Sequence, residues 1–246
     1  MVAIKTAQVR QYLEREFGTF YKERLGLLRK FQLNDGLLSI NPYLFQSKDI
    51  LLTQDFVRIM LHTHLSPQEE PMFGNLFVGL AIFVNQIVYN GWKSSTQGID
   101  LEFNKNNVRY MVAIKSGPNW GNSSQIRRMR DDFRRAKQTL RTGNSKLHVV
   151  AVNGCCYGRN TKPDRGDYYK YCGQRFWEFI SGNPDLYLKI IKPLGYSARE
   201  KSAEFEEAFA QTINRFTIEL SEKFVVDGEI DWDALVKFNS AESRLK

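Results

Sequence analysis

Residues 98–117 read GIDLEFNKNNVRYMVAIKSG, and their pairing fixes where the charged groups of this stretch meet. IDLEF alternates apolar and acidic residues, NKNN has turn composition, and VRYMVAIK is rich in β-branched and aromatic side chains. Together they predict an antiparallel hairpin. Alternation along a strand puts Asp100 and Glu102 on one face and sends Ile99, Leu101 and Phe103 to the core. On the return strand Met111, Ala113 and Lys115 share a face, with Val112 and Ile114 on the other. Pairing brings the start of the first strand to the end of the second, so Asp100 is expected near Ala113 and Lys115, with the alanine leaving room on that face. Two carboxylates and an ammonium group converging this way suit a Mg²⁺ ion and phosphodiester hydrolysis: the carboxylates hold the metal and the lysine orients water or meets developing charge. The same spacing also fits a surface hairpin whose charges are solvated.

Upstream, 5–31 has helical periodicity through Val9, Tyr12, Leu13, Phe17, Phe20 and Leu27. A connector follows, punctuated by Asp35-Gly36 and Pro42. One helix is expected over 53–64, and Ser66-Pro67 then opens a second, largely apolar helix that belongs against a sheet. Downstream, SGPNWGNSS is a loop, and Ser123 or Ser124 is expected to cap a helix through QIRRMRDDFRRAKQTLRTG that ends near Gly143. KLHVVAVNG reads as a buried strand. Hairpin, helix and strand in that order imply a crossover laying this strand parallel to the one carrying Lys115. Residues 174–181 and 200–224 read as helices. No linker divides the chain, which is expected to be a single domain: an N-terminal helical part (1–65), a core (66–160), and a loop with C-terminal helices (161–246).

The 246 residues are 42% hydrophobic and 25% charged, an ordinary globular balance, and the net charge of +8 favours polyanionic partners, nucleic acid first. The first residues lack the pattern of a signal peptide, and the longest apolar run, 76–84, is too short to span a bilayer, so no membrane partner is expected. Cys155, Cys156 and Cys172 form no CxxC pair, which points to reduced thiols in the cytoplasm. With only His62, His64 and His148, zinc or histidine-based cleavage chemistry is disfavoured.

The hairpin IDLEF–turn–VRYMVAIKSG, with a buried helix before it and helix and strand after it, resembles the PD-(D/E)XK nuclease superfamily, its type II restriction endonucleases in particular. SGPNWGNSSQIRRM and AVNGCCYG add to the likeness, which covers 67–160. It implies an α/β fold with a central mixed sheet flanked by helices, extra helices at both ends, and Mg²⁺-dependent cleavage of specific sites in double-stranded DNA. It further implies a homodimer and, as genetic partner, a cognate DNA methyltransferase. Residue by residue, Asp100 matches the first acid, Lys115 the lysine, and Ile114 the position whose backbone carbonyl can bind metal. Ala113 stands where the second acid belongs. Glu102 is the favoured replacement, while Glu70 and Asp131 are further candidates. Alternatively, Ala113 marks a natural or engineered loss that leaves a DNA-binding protein, or the chain is a nuclease of the same fold acting on branched or damaged DNA.

The basic helix carries Arg127, Arg128, Arg130, Arg134, Arg135, Lys137 and Arg141 around a stripe of Ile126, Met129, Phe133, Ala136 and Leu140. Beside a phosphate-cutting site, its arginines are candidates for DNA phosphate contacts. In the loop after Lys115, Asn119, Trp120, Asn122, Ser123, Ser124 and Gln125 are candidate DNA contacts. So are Arg159, Lys162 and Arg165 in the basic, tyrosine-rich segment 155–171. A capped helix face and an ordered loop account for the same residues without DNA.

Overall fold

The computed structural model describes residues 3–142, 146 and 148–242, apart from the side chains of 141, 197 and 199–201. In chain order the first elements are α1 (Thr6–Lys30), α2 (Leu33–Ser39), α3 (Pro42–Gln46), α4 (Thr53–Tyr89), β1 (Trp92–Lys93), β2 (Leu101–Lys105) and β3 (Val108–Lys115). They are followed by α5 (Ser123–Thr142), β4 (His148–Cys155), β5 (Tyr169–Cys172), α6 (Gln174–Ser181) and α7 (Leu186–Lys189). The chain then runs through α8 (Ile191–Phe224), β6 (Val225–Val226), β7 (Glu229–Ile230) and α9 (Trp232–Ser240).

Contacts divide the chain into two compact units, residues 1–17 with 73–198, and residues 18–72 with 199–246. The first holds a five-stranded mixed sheet in the order β1-β2-β3-β4-β5. Asn106 and Asn107 turn the β2–β3 hairpin with φ of 51° and 60°, the left-handed pair of a type I′ turn, and this locks Lys105 opposite Val108 and Leu101 opposite Val112. β3 and β4 are parallel, as are β4 and β5, so the crossover through α5 is the one the sequence predicts. Gly143, where α5 was expected to end, lies outside the described residues.

Each sheet face has its own apolar cover. Met111, Ala113 and Ala151 pack with Ile99 against Met129, Phe133 and Ala136 of α5. Ile99 therefore joins this cluster rather than the side of Leu101 and Phe103. On the opposite face Phe103 stacks on Tyr89 and Tyr110 and meets Phe179 of α6. Asn85, fully buried in α4, donates to the Ile180 carbonyl at 3.0 Å and so ties that helix to α6. The second unit is helical, with Phe31, Phe56, Met60, Phe216 and Leu220 among its buried residues, plus the small β6–β7 hairpin and α9.

Three expectations are corrected. Residues 53–89 form one helix of 37 residues, not two, with Pro67 and Pro71 inside it. Both prolines are exposed, so water can meet the carbonyls that lose their amide partners. This helix is also long and apolar enough to cross a membrane by length and composition, although Leu80, Ala81 and Val84 are fully buried in protein. The segment read as a loop between 155 and 172 supplies β5. Ala113, expected to leave room, is 1% exposed with its methyl group enclosed by the α5 cluster.

Candidate active site

Asp100 stands one residue before β2 and extends its ladder, donating its N–H to the Val112 carbonyl at 2.9 Å. That places it across from Ala113, as the hairpin reading requires. Gly98 makes the approach possible: its φ is +78°, and a Cβ there would come within 2.4 Å of an Asp132 carboxylate oxygen. The Asp100 Oδ2 accepts the Ile114 N–H at 2.6 Å, and Oδ1 has no hydrogen-bond partner among the described residues. The carbonyls of Ala113 and Lys115 both face β4, accepting from Asn153 Nδ2 at 3.1 Å and Cys156 N at 2.9 Å. By the pleat, the intervening Ile114 carbonyl points the other way, toward the edge that holds Asp100. Burial raises the Asp100 carboxyl above the usual carboxylate range, against the lowering pull of the Ile114 N–H, Lys115 and Lys93.

Lys115 ends β3, half-buried, and forms no ion pair among the described residues. Its Nζ lies 5.0 Å from the centroid of the Trp120 ring. The Trp120 indole N–H donates to Asn153 Oδ1 at 3.1 Å. Asn153, 1% exposed and registered beside Ala113 on β4, is a site residue that the hairpin motif does not contain. The signal for it was a single amide inside the apolar run HVVAVNG.

Glu102 shares a face with Asp100, as expected, but lies opposite Met111 rather than Ala113. Both of its oxygens are engaged. Oε1 accepts from Ser94 Oγ at 2.7 Å, and Oε2 accepts from the Arg109 guanidinium at 2.9 and 3.0 Å. Arg109 in turn lies over the Trp92 ring. Asp131 pairs with Arg134 at 2.7 Å, and Glu70 is exposed on α4 within the other compact unit. No three His, Cys, Asp or Glu side chains converge on one point among the described residues. The Asp100 edge nonetheless suits Mg²⁺ in kind: a desolvated carboxylate with an open oxygen beside a backbone carbonyl gives hard oxygen donors and leaves positions for water and phosphate.

The loop after Lys115 is tightly held. Lys170 Nζ donates to the Pro118 carbonyl at 2.6 Å, and the Tyr157 ring packs where a Cβ on Gly117 would stand. The cap of α5 is Asn122, not Ser123 or Ser124. Its Oδ1 accepts the Gln125 N–H at 3.0 Å while Gln125 Oε1 accepts the Asn122 N–H at 2.9 Å, a reciprocal capping box. Asn119, Ser123, Ser124, Arg127 and Arg128 are exposed at this end, and neither arginine forms an ion pair among the described residues. Arg130, Arg134 and Arg135 are paired with Asp167, Asp131 and Asp132. Arg159, Lys162 and Arg165 are exposed in the loop beyond β4, where Arg165 donates to Asn160. Cys155, Cys156 and Cys172 are buried free thiols, and burial with the neighbouring Cys172 pushes Cys155 up to about 12.

A mixed sheet flanked by helices, with an acid and a lysine meeting where a hairpin strand and its parallel neighbour end, is the restriction-endonuclease-like α/β class. The family model described as type II restriction endonuclease EcoO109I matches residues 7–202. The chain belongs to that family, which makes its class a nuclease and its partner DNA. No curated protein matches the sequence.

Proposed function

We propose that the protein is a Mg²⁺-dependent endonuclease that hydrolyses phosphodiester bonds at specific sites in double-stranded DNA. The observation that carries this reading is Asp100, fixed on the Ile114 N–H with its second oxygen open and placed beside the Lys115 strand end. Asp100 Oδ1 and the Ile114 carbonyl would hold the metal, which when bound polarises the scissile phosphate and acidifies a coordinated water. Lys115 orients the attacking water or meets charge developing on the phosphate. Glu102, the favoured second ligand from sequence, is assigned here to hold Arg109 and the hairpin, because a ligand role would compete with both of its existing partners. Arg127 and Arg128 with the basic loop at Arg159 and Lys162 would contact phosphates, and Ser123 and Ser124 at the start of α5, with Asn119 in the loop before it, are exposed where they would meet the DNA. A homodimer acting on a palindromic site, in a cytoplasm guarded by a cognate methyltransferase, completes the proposal.

Asp100→Asn and Lys115→Ala are expected to slow DNA cleavage at least about 100-fold, with DNA affinity retained. Unchanged cleavage in either would remove that residue from the site. A second reading, a DNA-binding protein that has lost cleavage, draws on the enclosure of Ala113 in the core. It predicts binding to duplex DNA with no cutting in Mg²⁺ or Mn²⁺.

A further inference from the structure

We propose that Trp120 and Asn153 are positioning residues for Lys115, the indole face confining the ammonium group that a carboxylate at position 113 would otherwise accompany. This rests on the nuclease reading. Lys115 forms no ion pair among the described residues; Asp100 feels its charge without closing a salt bridge to it, and a lysine on a four-carbon stem left that way samples many rotamers. The ring 5.0 Å from its Nζ supplies an electrostatic partner that carries no charge and cannot compete with phosphate as a carboxylate could.

The ring can do this only if it is itself fixed, and three separate contacts fix it. The indole N–H is bonded to Asn153 Oδ1, and the same amide donates to the Ala113 carbonyl, so one buried side chain links the ring to the strand bearing Lys115. Lys170 pins the loop at the Pro118 carbonyl. Pro118 also packs where a Cβ on Gly158 would stand, at 2.6 Å, so the loop has little room to shift. Trp120 is half-buried among Met129, Phe133 and their neighbours, which suits it to hold a side chain rather than to stack on a DNA base. Asn153 sits in an apolar strand, where a buried amide is costly unless bonded; its Nδ2 is used on the Ala113 carbonyl and its Oδ1 on the Trp120 indole, with the Cys155 thiol a weaker donor to that oxygen at 3.9 Å.

Two readouts test it on the whole chain. With lysine labelled by ¹³C, the ε-methylene signal of Lys115, assigned by its loss in Lys115→Arg, is expected to show an upfield ring-current shift. The shift disappears in Trp120→Leu and is reduced in Trp120→Phe. In single-turnover cleavage of plasmid DNA with Mg²⁺, Trp120→Leu and Asn153→Leu are expected to slow the reaction by roughly 10-fold, the scale of a partly desolvated cation–ring contact, with DNA affinity unchanged. Trp120→Phe, which keeps a ring face but loses the indole N–H that Asn153 holds, recovers only part of the rate. An unshifted Lys115 signal, or a cutting parent whose Trp120→Leu variant cuts equally fast, overturns the positioning role alone. A parent that never cuts overturns the nuclease reading and the positioning role together.

Discussion

Asp100 is placed where its charge is costly without a cation. Its carboxyl titrates above the ordinary range because burial outweighs the Ile114 N–H and the nearby lysines. An acid with a raised folded-state pKa binds its proton more tightly folded than unfolded, so stability falls as pH rises from the ordinary carboxylate range through the raised value. At neutral pH without metal, Asp100→Asn is therefore expected to raise the melting temperature, since an amide oxygen can still accept from Ile114. At about pH 3, below the unfolded value, the difference should vanish. Thermal melts at the two pH values check this, and a lower melting temperature for the variant at neutral pH would contradict it. Glu102 shows the opposite arrangement, a carboxylate compensated by Arg109 and Ser94. Arg109→Ala leaves it buried without its counter-charge, only Ser94 remaining bonded to it, and is expected to cost about 2 kcal/mol in urea unfolding, less than a fully enclosed pair because Arg109 keeps some solvent contact. No loss would show that Glu102 finds another partner.

The hairpin was legible because a two-residue asparagine turn fixes its register, and register fixes which side chains share a face. That placed Asp100 opposite Ala113 from sequence alone. The partner of Glu102 was within reach by the same logic, because Arg109 lies on that face one diagonal step away. Asn153 was not, because a parallel pairing takes its register from a crossover whose geometry no local pattern encodes. β1 and β5 escaped notice for a simpler reason: two and four residues are too few to show a period. The helix α5 contributes at both ends of this account. Its Asn122–Gln125 box sets its first turn, so Asn122→Ala should cost about 1 kcal/mol in unfolding. Its apolar stripe closes over Ala113, so Ala113→Glu forces a carboxylate into that cluster and is expected to destabilise by about 3 kcal/mol rather than enhance cleavage. A stable Ala113→Glu protein that cuts DNA where the parent does not would mark the alanine as a lost acid.

For the whole molecule, composition pointed to a polyanionic partner and the resemblance of the hairpin with its flanks, rather than its spacing alone, to the nuclease class. The division into two compact units was not read because no linker marks it: α1, α4 and α8 each continue from one unit into the other. The net charge of +8 makes association with DNA salt-dependent, and on the proposed reading Arg127 and Arg128 at the start of α5, which form no ion pair among the described residues, carry part of that dependence. Replacing Arg127 and Arg128 together by alanine is expected to lower the log–log salt slope of duplex binding by about 2 and to weaken all sequences alike. An unchanged slope would move the phosphate contacts elsewhere. The most direct test of the central claim is incubation of the purified protein with plasmid DNA and Mg²⁺ beside its Asp100→Asn variant. The predicted result is a set of discrete fragments from the parent and none from the variant, with both proteins binding the DNA. Binding without cleavage by the parent in either Mg²⁺ or Mn²⁺ would contradict it.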